Sequence, residues 1–122
     1  MEYMLLVYSD MLLVYSEETA MTTLPQAQVQ GVVDAYTAYT QALRDANVLR
    51  GANRLRATSA ATTVRVANGR TQALDGPFAE TKEQLGGYYM IDVPDLDAAL
   101  AWAARCPGAQ YGSIEVRPIW SM

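Results

Sequence analysis

The alternation of apolar and polar positions changes period several times along the chain, and each change marks an element. Residues 4–9 and 11–16 both read MLLVYS, offset by seven residues. Strand side chains alternate with period two, so an odd offset puts equivalent residues on opposite faces of one continuous strand. One copy is therefore expected to be the true first strand. The other is an extension of it, a bulged continuation or an added edge strand. A single short copy does not imply a solenoid, and a local duplication accounts for it. Thr23 and Gln26 then bracket Pro25 as a capping box. Val29, Val32, Val33, Tyr36, Tyr39 and Leu43 follow at helical spacing, which predicts a helix over 24–46 with Asn47 as its stop.

Beyond Gly51 the pattern loosens into a strand, and residues 62–67 alternate and are β-branched. Asn68-Gly69 is a two-residue hairpin signal, because both central positions of a type I′ turn need positive φ. Residues 70–74 form the return strand, broken by Asp75-Gly76-Pro77. Gly86-Gly87 is read as a bend or bulge leading into an apolar strand over 88–93. Asp95 caps a second helix whose inner face is expected to be Leu96, Ala99, Leu100 and Ala103, and Cys106-Pro107-Gly108 ends it. Residues 113–120 form a last strand, where Pro118 favours a sheet edge or a strand end. The order is β-α-β-(hairpin)-β-α-β, a ferredoxin-like split βαβ with an inserted hairpin, in the α+β class. Its two helices cover one face of the sheet. The other face is apolar and calls for a second subunit, which predicts a dimeric α+β barrel.

Composition narrows the function. At 122 residues the chain fits one domain, with 1–10 as an extension that duplicates the first strand. Charged residues make up only 18%, below the usual share of about 25%, in keeping with a surface covered by a partner. The net charge of −4, without a basic cluster, excludes nucleic acid and anionic membrane as partners of choice. No signal peptide and no membrane span is legible, so a cytoplasmic location is expected. Cys106 is the single cysteine and reads as a small buried residue near a helix end. The chain has no histidine, which argues against zinc, against a Ser-His-Asp triad and against an imidazole base for the thiol. No cofactor is implied.

The stretch DGPFAETKEQLGGYYMIDV over 75–93 resembles the signature of the YCII-related, DGPF-containing family. The flanks agree: MLLVYS, AYTAYTQAL, TTVRV, PDLDAALAWAARCP and GSIEVRPIW, so the resemblance covers nearly the whole chain. It implies a dimeric ferredoxin-like barrel with a small-molecule cleft near the DGPF loop. Some members are encoded beside extracytoplasmic-function sigma factors, and relatives include a lactone dehalogenase. The better-studied members are thought to use a His-Asp dyad, which cannot exist here. The resemblance also gives residues 11–16 the family-like spacing to the first helix, so they are expected to be strand 1.

Two kinds of reading stand open for each candidate site residue. Asp75 is either a turn-capping carboxylate or a general base at the mouth of a cleft. Phe78 either anchors its loop or forms a wall of an apolar pocket. Glu80, Lys82 and Glu83 are a solvated run or part of a site. In the second case Lys82 binds an anion, and Glu80 or Glu83 is the acid/base partner of Asp75. Arg54 is a surface arginine or a carboxylate clamp, and Tyr36, Tyr39, Tyr88 and Tyr89 each pack or donate to a ligand. Trp102 and Trp120 are read as core or dimer contacts. Two functions from different classes follow. One is proton transfer or elimination on a small lactone or carbonyl compound. The other is a non-enzymatic accessory or sensor working with a sigma factor.

Overall fold

A computed structural model of the chain describes residues 9–18, 24–79 and 81–120. The elements are β1 (Ser9–Ser16), α1 (Gln26–Asp45), β2 (Leu49–Arg54), β3 (Thr62–Ala67), β4 (Arg70–Asp75), β5 (Gln84–Asp92), α2 (Leu96–Arg105) and β6 (Ser113–Pro118). Short 3₁₀ turns occupy Thr58–Ala60 and Pro107–Gln110. Four strands form one sheet in the order β2-β5-β1-β6, and β3 and β4 form a separate two-stranded ribbon. With the ribbon set aside, this is the split βαβ arrangement, all antiparallel, with β6 and its Pro118 at an edge. The second MLLVYS copy lies within β1, and the first lies almost wholly outside the described residues.

Alternation along the strands decides which face is covered. Leu12 and Val14 of β1 and Tyr89 and Ile91 of β5 are buried beneath Tyr39 and Leu43 of α1 and Ala99 and Ala103 of α2. Their neighbours Met11, Leu13, Tyr88 and Met90 point to the opposite face and are only half-buried. That face is apolar, as the sequence pattern requires. Burying apolar surface stabilises by roughly 25 cal/mol per Å², so a half-covered row of this kind favours association.

Local chemistry explains the element ends. Asn47 adopts φ 58° just past α1, and its N–H bonds the Arg44 carbonyl at 2.9 Å, the left-handed stop expected of asparagine. Asp95 accepts from the Ala98 N–H at 2.8 Å and caps α2. Asn68 (φ 53°) and Gly69 (φ 75°) make the I′ turn. Gly86 is the unpaired residue of a bulge, because Val14 faces Gly87 and Tyr15 faces Leu85. At Gly87 a Cβ would sit 2.9 Å from the Asn53 carbonyl oxygen, so only glycine lets β2 approach this closely.

Three expectations need correction. α1 opens at Pro25 without a side-chain cap, and the proposed capping residue Thr23 lies outside the described residues. The inner face of α2 is Ala99 and Ala103 with Ala98, Trp102 and Cys106, whereas Leu96 and Leu100 are 55% and 48% exposed. The small residues set α2 close to the sheet, and this turns the leucines to its flank. Trp120 is 88% exposed in the single chain, so it is no core residue, which leaves the dimer-contact reading.

Candidate functional site

Helix α1 carries one apolar stripe, but only its C-terminal half packs. Tyr39 and Leu43 are buried, whereas Val32 and Tyr36 are half-buried and Val33 is exposed. The chain reverses after Asp45, so β2 runs back beneath α1, and the lifted N-terminal half roofs a cleft over the end of β2 and the start of β5. The cleft encloses about 710 Å³, within the range of about 300–1,000 Å³ usual for small-molecule sites. Val32, Val33 and Tyr36 form its roof, Val14, Ala52 and Tyr89 line it from the sheet, and Tyr111 adds an aromatic wall.

Its polar groups are largely fixed. Thr40 donates to the Tyr36 carbonyl at 2.8 Å, which uses its single proton. The 3.0 Å contact between the Thr40 and Tyr89 hydroxyls is therefore donated by Tyr89. Thr37 likewise donates to the Val33 carbonyl at 2.9 Å. These hydroxyls thus present lone pairs, and the charged donors of the lining are guanidinium groups: Arg44, Arg54 and Arg56 all line the cleft. None of the three forms an ion pair with a described residue. Glu18 is the carboxylate of the lining, and it accepts the Thr58 N–H at 2.7 Å and the Thr58 hydroxyl at 2.9 Å. Burial pushes the Tyr36 hydroxyl far above its ordinary range, helped by the neighbouring Cys106 and Tyr111, so it stays neutral. Burial also raises Cys106, whose thiol points at the Tyr36 hydroxyl 4.0 Å away.

Of the residues singled out in the sequence, Arg54, Tyr36, Tyr88 and Tyr89 line this cleft, and the described ones of the DGPF loop do not. Tyr39 is in the core, and its hydroxyl donates to the Trp102 carbonyl at 2.7 Å. Asp75 ends β4 exposed to solvent, and among the described residues its carboxylate accepts no hydrogen bond. The turn after it is held by backbone instead. The Gly76 N–H bonds the Ala61 carbonyl at 2.7 Å, Thr63 donates to the Gly76 carbonyl at 2.8 Å, and Gly76 adopts φ 110°. Phe78 is 79% exposed, with the Arg65 guanidinium 5.3 Å over its ring, and neither anchors the loop nor walls a pocket. Lys82 pairs with Glu17 at 3.5 Å, and Glu83 accepts from the Ser113 hydroxyl at 2.8 Å. Glu80 lies outside the described residues. A smaller hollow of about 390 Å³ lies beneath the DGPF loop, lined by Thr58, Ser59, Gly76, Pro77, Thr81 and Gln84, and Asp75 is not in its wall.

Sequence reasoning passed over Arg44, Arg56, Glu18 and Thr40. The signal that points to them is the N-terminal half of the α1 stripe, an apolar row whose facing strand end, NRLR, carries charge in place of matching bulk.

Fold and cleft together define a ferredoxin-like α+β domain with an inserted hairpin and a helix-roofed, arginine-flanked cavity. The chain belongs to the YCII-related domain family, which matches it over residues 1–122. It is also 39% identical over 109 residues to the uncharacterized protein R00369 of Rhizobium meliloti (strain 1021), covering 88% of each chain. No helix among the described residues is long and apolar enough to cross a membrane.

Proposed function

We propose that this YCII-related protein is a cytoplasmic homodimer that binds a small molecule in the cleft between α1 and the β2–β5 strands. The observation that carries the reading is the lifted half of α1. An apolar helical stripe left standing over a cavity of about 710 Å³ has no structural use without an occupant. The reading moves the ligand away from the DGPF loop. Asp75 stands exposed, and among the described residues its carboxylate has no hydrogen-bond or ion-pair partner, so proton transfer or elimination with Asp75 as base has the weaker geometric support. Dimerisation follows from the half-covered row of Met11, Leu13, Tyr88 and Met90.

A thermal-shift screen of small organic acids and lactones tests this, repeated on Ala52→Trp and Asp75→Asn. A shift abolished by Ala52→Trp and kept by Asp75→Asn supports the cleft. The reverse pattern returns the site to the DGPF loop. Sedimentation gives the dimer, and a monomer at micromolar concentration removes it.

One observation favours a second reading, a protein-binding accessory role of the sigma-factor type. The β3–β4 ribbon leaves Val64 and Val66 exposed on one face. A lone two-stranded ribbon is marginally stable, so this one needs a partner. If that partner is a second copy, Val64→Lys with Val66→Lys weakens the dimer. A dimer unchanged by those substitutions leaves the ribbon for a different protein.

A further inference from the structure

Resting on the cleft reading, we infer that the ligand is a small organic anion with an apolar body, held by its charge at Arg54 and Arg56. The chain is acidic, at −4. Against that balance the cleft is lined by three arginines and one carboxylate, Glu18. Of the other described cations, Arg50 pairs with Asp92, Lys82 with Glu17 and Arg117 with Glu115, and only Arg70, exposed at the hairpin turn, has no partner among the described residues. Arg65 and Arg105 lie over the rings of Phe78 and Trp102. Arg44, Arg54 and Arg56 have neither kind of partner among the described residues. Glu18 offsets one of these three charges at most, and its oxygens accept from the Thr58 N–H and hydroxyl rather than from an arginine.

Position then orients the ligand. β2 doubles back under α1, so Arg54 and Arg56 lie below the N-terminal half of the helix, where Val32, Val33 and Tyr36 form the roof. Arg44 stands in the last turn of α1, roughly 18 Å along the axis from Val32 at 1.5 Å per residue. An apolar body fits under the roof with its anionic group beside the Arg54–Arg56 pair. A guanidinium fork matches a carboxylate or sulfonate in geometry as well as in charge. The threonine and Tyr89 hydroxyls, whose protons are spent within the protein, offer acceptors only and add nothing for an anion. Charge discrimination falls to the arginines. A neutral ligand of the same shape leaves the Arg54–Arg56 pair without a counter-charge, and a cationic one is repelled.

Two fluorescent probes of one shape separate charge from cavity. These are 8-anilinonaphthalene-1-sulfonate and its neutral counterpart N-phenyl-1-naphthylamine, titrated into the full chain. The sulfonate is expected to bind about tenfold tighter or better, a factor ordinary for a charge-assisted hydrogen bond. It should weaken as NaCl rises from about 20 to about 500 mM, since the Debye length falls through that range. Arg54→Gln with Arg56→Gln should cost the sulfonate about tenfold and leave the neutral probe unchanged. Both arginines are exposed, so the variant is expected to fold, which a melting curve verifies. Equal affinity for the two probes, or a double variant that binds the sulfonate as wild type does, overturns the anion inference. If Ala52→Trp still abolishes the neutral probe's binding in that case, the cleft reading stands alone. If neither probe responds to Ala52→Trp, the cleft reading and the inference fall together.

Discussion

Replacing Tyr39 with phenylalanine removes one oxygen from the middle of the molecule. The ring remains, and with it the edge-on contacts to Tyr89 and Trp102 at centroid distances of 5.3 and 6.2 Å. What is lost is the 2.7 Å bond from the Tyr39 hydroxyl to the Trp102 carbonyl. That carbonyl lies in the last turns of α2, where the Cys106 N–H bonds Ala103 instead, at 3.1 Å. It is one of the carbonyls that a helix end leaves without an internal partner. Tyr39 is 5% exposed, so water has little access to take the place of its hydroxyl. A hydrogen bond contributes a net 0.5–1.5 kcal/mol or so, and stranding a buried acceptor costs about 1–3 kcal/mol. We expect a loss of about 1.5–2 kcal/mol, equivalent to a fall in Tm of roughly 5–8 °C for a domain of this size. Urea unfolding followed by tryptophan fluorescence reads it, with an unchanged m-value. Ligand affinity in the cleft should not change. A loss below about 0.5 kcal/mol would show that the Trp102 carbonyl finds another donor, and would refute the assignment of Tyr39 as the tie between α1 and α2.

Other perturbations probe separate parts of the structure. Asp10 is 6% exposed, and burial raises its carboxyl pKa. A folded pKa above the unfolded one means that Asp10 supports folding fully below the unfolded value. That support is lost as pH rises through the folded value. Asp10→Asn should therefore stabilise at neutral pH and flatten this part of the pH profile, and equal stability of the two proteins at pH 7 would contradict it. Cys106 is 1% exposed with its thiol pKa raised by burial, so Ellman's reagent should label it only after denaturation. Rapid labelling of the native protein would refute that. Gly87→Val drives a side chain against the β2 backbone, and should cost about 1–3 kcal/mol or detach β2 from β5, seen as faster exchange of the Leu55 amide. Retained protection there would mean that the strands can part without loss.

Local chemistry was legible wherever one residue type alone suits a backbone geometry. Asn68-Gly69, Asn47 and Asp95 each name a turn, a stop or a cap, and each performs that role. The split βαβ arrangement followed from the succession of strand and helix periods along the chain. The rotation of α2 was not legible, because Leu96, Ala99, Leu100 and Ala103 satisfy helical spacing as well as the true face does. Size favoured the leucines, whereas close approach to the sheet favoured the alanines. The cleft beneath α1 was not legible for a related reason. A loop dense in charge and carrying a family signature drew attention to Asp75, Phe78 and Glu83. The cavity instead depends on where α1 stops packing, which periodicity does not record: Val32 and Val33 look in sequence as core-forming as Tyr39 and Leu43. Arg54 was legible as a strand cation able to clamp a carboxylate. Arg44 and Arg56 join it only through the reversal of the chain between α1 and β2.

The central claim is that the space beneath α1 holds a ligand. Amide shift mapping of the ¹⁵N-labelled protein, titrated with 8-anilinonaphthalene-1-sulfonate, tests it most directly. Saturable changes are expected at residues 52–57 and 86–89 and along α1 from Val32 to Arg44. Changes confined to the β3–β4 ribbon and residues 76–79, with those segments silent, would contradict it.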